Sequence, residues 1–231
     1  MAPITTEWHQ LPLLNGTNYH HFDVSTPDAQ TSYAEAARIG QGYAGTVLAA
    51  LNGLSDIPAP VLRARNRMMT VESRKVSAAD LEEARRISAK YSDLDGKNAV
   101  GDLTAEDLAR KNPVALKFFA DAALAQARNH DLHAFNLVCI DFGPVCVVSL
   151  PSEVFVEIGM TIRREIFPEK MVLIATHSGT GALRCTGGYI PNFFNYGHGG
   201  YETSYEANPF ESDTANKLID NVRRLKMHIA Q

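Results

Sequence analysis

The feature that most constrains this fold is a pair of apolar, β-type runs separated by a glycine–proline turn. The runs cover Leu132 to Phe142 and Val145 to Leu150, and Gly143-Pro144 lies between them. Runs of this length and composition are typical of strands, and the dipeptide between them is typical of a turn. The sequence therefore predicts a central β-hairpin around which the other elements pack.

Helical periodicity and capping residues predict helices on both sides of this hairpin. The predicted helices cover residues 32–54, 77–91, 113–129, 153–166 and 213–229, with a short one after Thr104. Further strands are predicted over residues 61–76 and 171–176, and residues 182–190 are a candidate for one more. Because strands and helices mix without strict alternation, we expect an α+β or layered α/β fold, with a mixed sheet flanked by helices. Residues 1–231 are expected to form a single domain.

Composition and the N-terminus exclude several function classes. The 231 residues carry 22 Lys and Arg against 26 Asp and Glu, so the net charge of −4 gives no basic field for nucleic acid. No apolar run approaches the roughly 18 residues of a membrane helix. Met1 to Gly16 lacks the pattern of a signal peptide. We therefore expect either a cytoplasmic protein or a chain that begins downstream of the start of a longer protein.

The three cysteines are Cys139, Cys146 and Cys185. Their number is odd and no CxxC spacing is present, so neither a disulfide framework nor a cysteine zinc site is expected. All three stand in apolar surroundings, and we interpret them as buried, inert thiols.

The strongest candidate for chemistry is Glu153, where a buried strand passes the chain to the predicted helix over residues 153–166. A carboxylate in the first helical turn is stabilised by the helix dipole, and strand-to-helix junctions are where α/β proteins place their sites. The alternative interpretation is an acidic residue that only starts the helix. Glu157, one turn later, is expected to be solvated or salt-bridged.

Two tyrosines in glycine-flanked positions form a second candidate. Tyr189 and Tyr201 are 12 residues apart in a predicted loop that covers Gly187 to Tyr205. Glycine lets the backbone approach a ligand closely, and a tyrosine can act as an acid, as an oxyanion donor or, when ionised, as a metal ligand. The alternative is aromatic packing over the edge of the core.

Histidines form the third candidate group. His20 and His21 lie close to Asp23 in a polar segment, where they are suited to bind metal or relay protons. Adjacent residues usually point in different directions, so at least one of the two is expected on the loop surface. His177 ends the predicted strand over residues 171–176 and is a further candidate, although the sequence shows no partner for it.

Taken in order, three segments resemble the neutral/alkaline non-lysosomal ceramidase family, and especially its ceramidase-like bacterial branch. The segments are Asn18 to Asp23, Leu150 to Gly159 and Gly188 to Glu202. The resemblance extends from about residue 15 to the C-terminus. It implies that the chain is the C-terminal portion of a larger catalytic domain.

The resemblance also implies a single zinc ion held by two histidines, a glutamate and a tyrosine. The glutamate falls on Glu153, the metal-bound tyrosine on Tyr189, and a second tyrosine that assists the reacting carbonyl on Tyr201. His21 is implied in a supporting catalytic pair with Asp23. The implied reaction is the attack of zinc-activated water on the carbonyl of a small-molecule or lipid-like amide.

The sequence departs from this family in two places. No stretch resembles the family's upstream histidine motifs, which leaves His20, His21 and His177 as candidates for the missing ligands. The serine that ceramidases present near the zinc has no counterpart around His20-His21-Phe22, which argues against ceramide itself as the substrate.

These departures keep two other hypotheses open: a non-catalytic fragment or pseudoenzyme, and a small-ligand-binding protein of the same fold. If a missing N-terminal part normally covers the sheet, the chain should also expose apolar surface.

Overall fold

A computed structural model describes residues 33–57, 62–94, 112–178 and 187–229. The strands are β1 (Arg63–Glu72), β2 (Leu132–Asp141), β3 (Val145–Ser149), β4 (Glu153–Val154), β5 (Met171–Ala175) and β6 (Tyr189–Ile190). The α-helices are α1 (Tyr33–Leu51), α2 (Ala78–Lys90), α3 (Pro113–Gln126), α4 (Val156–Thr161) and α5 (Thr214–Ile229). The predicted α+β class is confirmed.

The main sheet has the strand order β1-β2-β3-β5. The pairs β1/β2 and β2/β3 are antiparallel, whereas β3 and β5 are parallel, so the sheet is mixed as predicted. The predicted hairpin is confirmed, with Gly143 at φ 88° in its turn. Lys170 Nζ holds this turn by donating to Asp141 Oδ1 at 2.7 Å and to the Gly143 carbonyl at 2.5 Å.

One face of the main sheet carries the hydrophobic core. Helix α5 contributes Leu218, Val222 and Leu225, all buried as the periodicity predicts, against Phe135 and Leu137 of β2. Truncating one of these leucines to alanine removes about 2–5 kcal/mol of stability in a close-packed core. The core therefore fixes the sheet and α5 as one unit.

The opposite face of the main sheet is apolar and open among the described residues. Met68 of β1 is 51% exposed, and Met171 and Leu173 of β5 are 66% and 51% exposed. Side chains alternate between the two faces of a strand, so these residues lie opposite the core. The described part of the chain thus exposes apolar surface on this face.

Helix α1 is likewise exposed along its apolar side. Tyr43, Val47 and Leu48 are 73%, 61% and 63% exposed. None of the helices in the described ranges is both long enough and apolar enough to cross a lipid bilayer.

The predicted helix over residues 153–166 is wrong at its start. Glu153 and Val154 form β4, which pairs in parallel with β6, because Glu153 N–H donates to the Gly188 carbonyl and Phe155 N–H donates to the Ile190 carbonyl, both at 3.1 Å. Helix α4 begins only at Val156 and continues into a π-helical turn, Ile162–Ile166. Glu153 therefore does not lie in the first turn of a helix, and the predicted stabilisation of its carboxylate by the helix dipole is wrong.

Most other predicted elements are confirmed with shifted ends. Ser77 caps α2 by accepting from Asp80 N–H at 3.0 Å, and Asn112 caps α3 by accepting from Val114 N–H at 2.9 Å. The predicted loop over residues 187–205 contains β6 and two short 3₁₀ turns, Phe193–Gly197 and Tyr201–Thr203. Cys139 and Cys146 are buried free thiols, as interpreted. The predicted short helix after Thr104, Cys185 and most of the candidate strand over 182–190 lie outside the described residues.

Replacing Gly188 with alanine should destabilise the protein by about 1–3 kcal/mol. Gly188 has φ +94°, and a Cβ atom there would meet Pro209 Cδ at 2.9 Å and the Ala207 carbonyl oxygen at 3.0 Å. Gly187→Ala is the matched control because its Cβ would have no neighbour within 4 Å. Urea unfolding of both variants measures the difference, and equal losses would contradict the described packing of β6.

Lysine substitutions on the open sheet face should reduce the binding of a hydrophobic dye. In Met171→Lys/Leu173→Lys, two exposed apolar side chains become charged, and we expect the dye fluorescence to fall by roughly half. The control is Glu82→Lys, which changes the charge at an exposed position of α2 instead of on the sheet face. Unchanged fluorescence in the double variant would show that this face is covered in solution.

Candidate metal centre

Because β3 and β5 are parallel neighbours, their C-terminal ends lie side by side at one edge of the main sheet. Ser149 pairs with Ala175 at the end of the ladder, and Leu150 N–H extends it by donating to the Ala175 carbonyl at 2.8 Å. The carboxyl ends of parallel strands are where α/β sheets bind ligands. Glu153 follows β3 and His177 follows β5, so the fold delivers both side chains to this edge.

Two residues at this edge have a left-handed backbone although neither is glycine. Ser152 has φ 53° and His177 has φ 54°. Their segments are joined by His177 N–H, which donates to the Ser152 carbonyl at 3.0 Å, and by Ser178 N–H, which donates to the Leu150 carbonyl at 3.0 Å. Such a conformation costs about 1–3 kcal/mol, persists only where the surroundings impose it, and is common at functional sites.

Glu153 and Tyr189 lie side by side although 36 residues separate them in the sequence. They are register partners in the parallel β4/β6 pair, and the Tyr189 phenol lies close enough to the Glu153 carboxylate to feel its negative charge. Burial, followed by the negative charges of Glu153 and Glu202, raises the pKa of Tyr189 to about 12. Tyr189 is therefore a neutral phenol at pH 7. It loses its proton only when a bound cation stabilises the phenolate.

His177 faces the same carboxylate from the end of β5. Its Nε2 atom lies 3.7 Å from Glu153 Oε2, and the two side chains are 55% and 34% exposed. This separation is too long for a hydrogen bond but short enough for both atoms to contact one small ion. The partial exposure leaves the pair accessible from solvent.

Tyr201 completes the group beside Tyr189. The two ring centroids are 6.2 Å apart and the rings are nearly perpendicular, at 78°. Burial, with the negative charges of Glu206 and Glu202, raises the pKa of Tyr201. Tyr201 is therefore a neutral hydrogen-bond donor at pH 7. We call Glu153, His177, Tyr189 and Tyr201 the strand-end site.

A buried carboxyl group, Glu202, lies beside the strand-end site and has no role in the sequence prediction. Its side chain is only 2% exposed. Burial raises its pKa to about 7, with the negative charge of Glu153 adding to the rise and a hydrogen bond from its own backbone opposing it. An acidic residue in a polar loop gives no sequence signal for such burial.

Some predicted site residues are not placed, and one expectation is wrong. His20, His21 and Asp23 lie outside the described residues. Glu157 is half-buried instead of solvated, and burial raises the pKa of its carboxyl group. Over the described ranges, no three His, Cys, Asp or Glu side chains converge as a metal-binding group. The potential donors at the strand-end site are instead one carboxylate, one imidazole and two phenols. Carboxylate and imidazole are common zinc ligands, and a phenol offers a negatively charged oxygen once it ionises.

No family model matches the chain, and no curated protein matches it. Among solved structures, one described as a ceramidase complexed with C2 aligns with 42% of this chain at 14% identity and a TM-score of 0.35. The aligned part spans only 15% of that chain. At this level, the similarity establishes neither the fold nor the function.

The buried Glu202 should make the protein less stable as the pH rises from about 4.5 to about 7. Its pKa of about 7 in the folded state exceeds the ordinary value of 4.5, so folding favours the protonated form. The contribution of Glu202 to the free energy of unfolding is therefore fully present below pH 4.5 and is lost as the pH rises through 7. This loss amounts to at most about 3 kcal/mol. Glu202→Gln should remove this part of the pH dependence in urea unfolding. The exposed neighbour variant Glu206→Gln should retain it, and identical profiles for Glu202→Gln and the unmodified protein would contradict the assignment.

Proposed function

We propose that this protein is a zinc-dependent amide hydrolase with a ceramidase-like reaction. The observation that supports this most directly is the adjacency of Glu153 and Tyr189, register partners in the β4/β6 pair. These are the two residues on which the family resemblance places a zinc-binding glutamate and tyrosine. Tyr201, the residue implied to assist the carbonyl, stacks edge-on against Tyr189.

The donor chemistry of the strand-end site fits zinc. Glu153 offers a carboxylate oxygen, and Tyr189 offers a phenolic oxygen that loses its proton when it binds a cation. Glu153 and Tyr189 would hold the ion, which would supply an activated water and polarise a substrate carbonyl when bound. The side chain of Glu153 is 34% exposed, so a substrate carbonyl reaches it from solvent.

Tyr201 is suited to stabilise charge on the reacting carbonyl oxygen. Its raised pKa keeps the hydroxyl protonated, and its edge-on contact with Tyr189 orients the ring. A positioned donor of this kind contributes about 10²–10³ in kcat when the oxygen becomes negative. The proposed role is therefore that of an oxyanion donor.

Exposed aromatic residues that follow Tyr189 in the sequence favour an apolar acyl or lipid-like substrate. Phe193 and Phe194 are 61% and 57% exposed and follow Tyr189 by four and five residues. They line a cleft of about 550 Å³ together with Ile219 of α5 and with polar or charged side chains that include Glu165, Asp220 and Arg223. Exposed aromatic side chains beside a cleft are typical of surfaces that bind apolar groups.

Metal analysis with matched carboxylate variants tests the proposal. We expect about one zinc per chain after metal loading and dialysis, lost in Glu153→Ala and retained in Glu206→Ala, since an isolated carboxylate outside the site holds no zinc. Hydrolysis of N-acyl amides of increasing chain length is measured on the same samples. Tyr201→Phe should keep its zinc and lose about 10²–10³ in kcat.

Two results would overturn the proposal. Absence of bound zinc after loading would remove the metal chemistry and favour a non-catalytic or ligand-binding protein. Equal zinc content in Glu153→Ala and the unmodified protein would place the metal elsewhere.

A further inference from the structure

We propose that His177 is the third protein ligand of the zinc ion, completing a set with Glu153 and Tyr189. This inference rests on the proposed function. It places a nitrogen donor at the end of β5, where the family resemblance implies no ligand.

The separation between His177 and Glu153 is close to what a shared zinc ion requires. Zinc–nitrogen and zinc–oxygen distances of about 2.0–2.1 Å in tetrahedral geometry place two donors about 3.3–3.4 Å apart. His177 Nε2 and Glu153 Oε2 are 3.7 Å apart. Closing that difference takes a few tenths of an ångström, which is within the reach of side-chain rotation at two partly exposed residues.

The backbone of His177 supports a role for its side chain. A left-handed φ of 54° suits glycine or asparagine better than histidine. The hydrogen bond from His177 N–H to the Ser152 carbonyl holds this conformation and fixes where the imidazole leaves the chain. The imidazole is 55% exposed, so core packing does not explain its presence at a strained position.

Two other described histidines, His133 and His198, have different surroundings. His133 Nε2 lies 2.9 Å from Ser73 Oγ and its ring packs edge-on against Phe210, while the ring of His198 packs edge-on against Phe194. Among the histidines whose side chains the structure describes (His130, His133, His177 and His198), only His177 has a ring nitrogen within 4.0 Å of a carboxylate oxygen.

Three protein donors complete the usual shell of a catalytic zinc ion. Glu153 contributes an oxygen from β4, Tyr189 an oxygen from β6, and His177 a nitrogen from the end of β5. Catalytic zinc takes three protein ligands and keeps a fourth position for water or substrate. With His177 included, the strand-end site meets this count from residues of the described chain.

A zinc titration of the full chain tests this assignment. Calorimetry measures the zinc Kd, and ¹⁵N NMR of labelled histidines detects which imidazole binds the metal. His177→Asn removes the imidazole and keeps a residue that tolerates the left-handed backbone. We expect it to raise the zinc Kd by at least about tenfold. His198→Asn is the matched control and should leave the Kd unchanged. In the unmodified protein, zinc should shift one histidine ring resonance that is missing from the spectrum of His177→Asn.

The possible failures are distinguishable. If zinc binding is weakened by Glu153→Ala but not by His177→Asn, and the shifted resonance persists, His177 is not a ligand and the proposed function stands. If the unmodified protein binds no zinc, the proposed function itself fails and this assignment fails with it.

Discussion

The parallel pairing of β3 with β5 is the constraint on which the strand-end site depends. Because the two strands run in the same direction, the segments that follow them leave the sheet at one edge, and Glu153 and His177 arrive there together. An antiparallel arrangement would place these side chains at opposite ends of the sheet. The strained backbones of Ser152 and His177, joined by one hydrogen bond, show how tightly this junction is held.

The second constraint is the short β4/β6 pair, which brings Tyr189 to Glu153. It is possible only because Gly188 packs closely against Pro209 and the Ala207 carbonyl, where a side chain has no room. Next to this pair, Glu202 is fully buried, Tyr189 is partly buried and Tyr201 is 36% exposed. Burial disfavours the charged form of each group, which raises their pKa values and leaves neutral phenols beside one accessible carboxylate.

Local signals predicted much of this fold. The hairpin at Gly143-Pro144, the capped start of α2 at Ser77 and the inward side of α5 all follow from turn chemistry, capping and helical periodicity. The start of the helix after Ser152 could not be predicted in this way, because a pairing with residues 36 positions away converts Glu153 and Val154 into a strand. At the site, Glu153, Tyr189 and Tyr201 were selected from motifs, but the approach of His177 and the burial of Glu202 depend on tertiary packing that one sequence does not reveal.

The most direct measurement of the central claim is anomalous diffraction at the zinc absorption edge from crystals grown with zinc. The account predicts a single strong peak within about 2.2 Å of a Glu153 carboxylate oxygen, His177 Nε2 and the Tyr189 hydroxyl oxygen. A peak bound to other residues, or no peak while the three side chains stay separated, would contradict it.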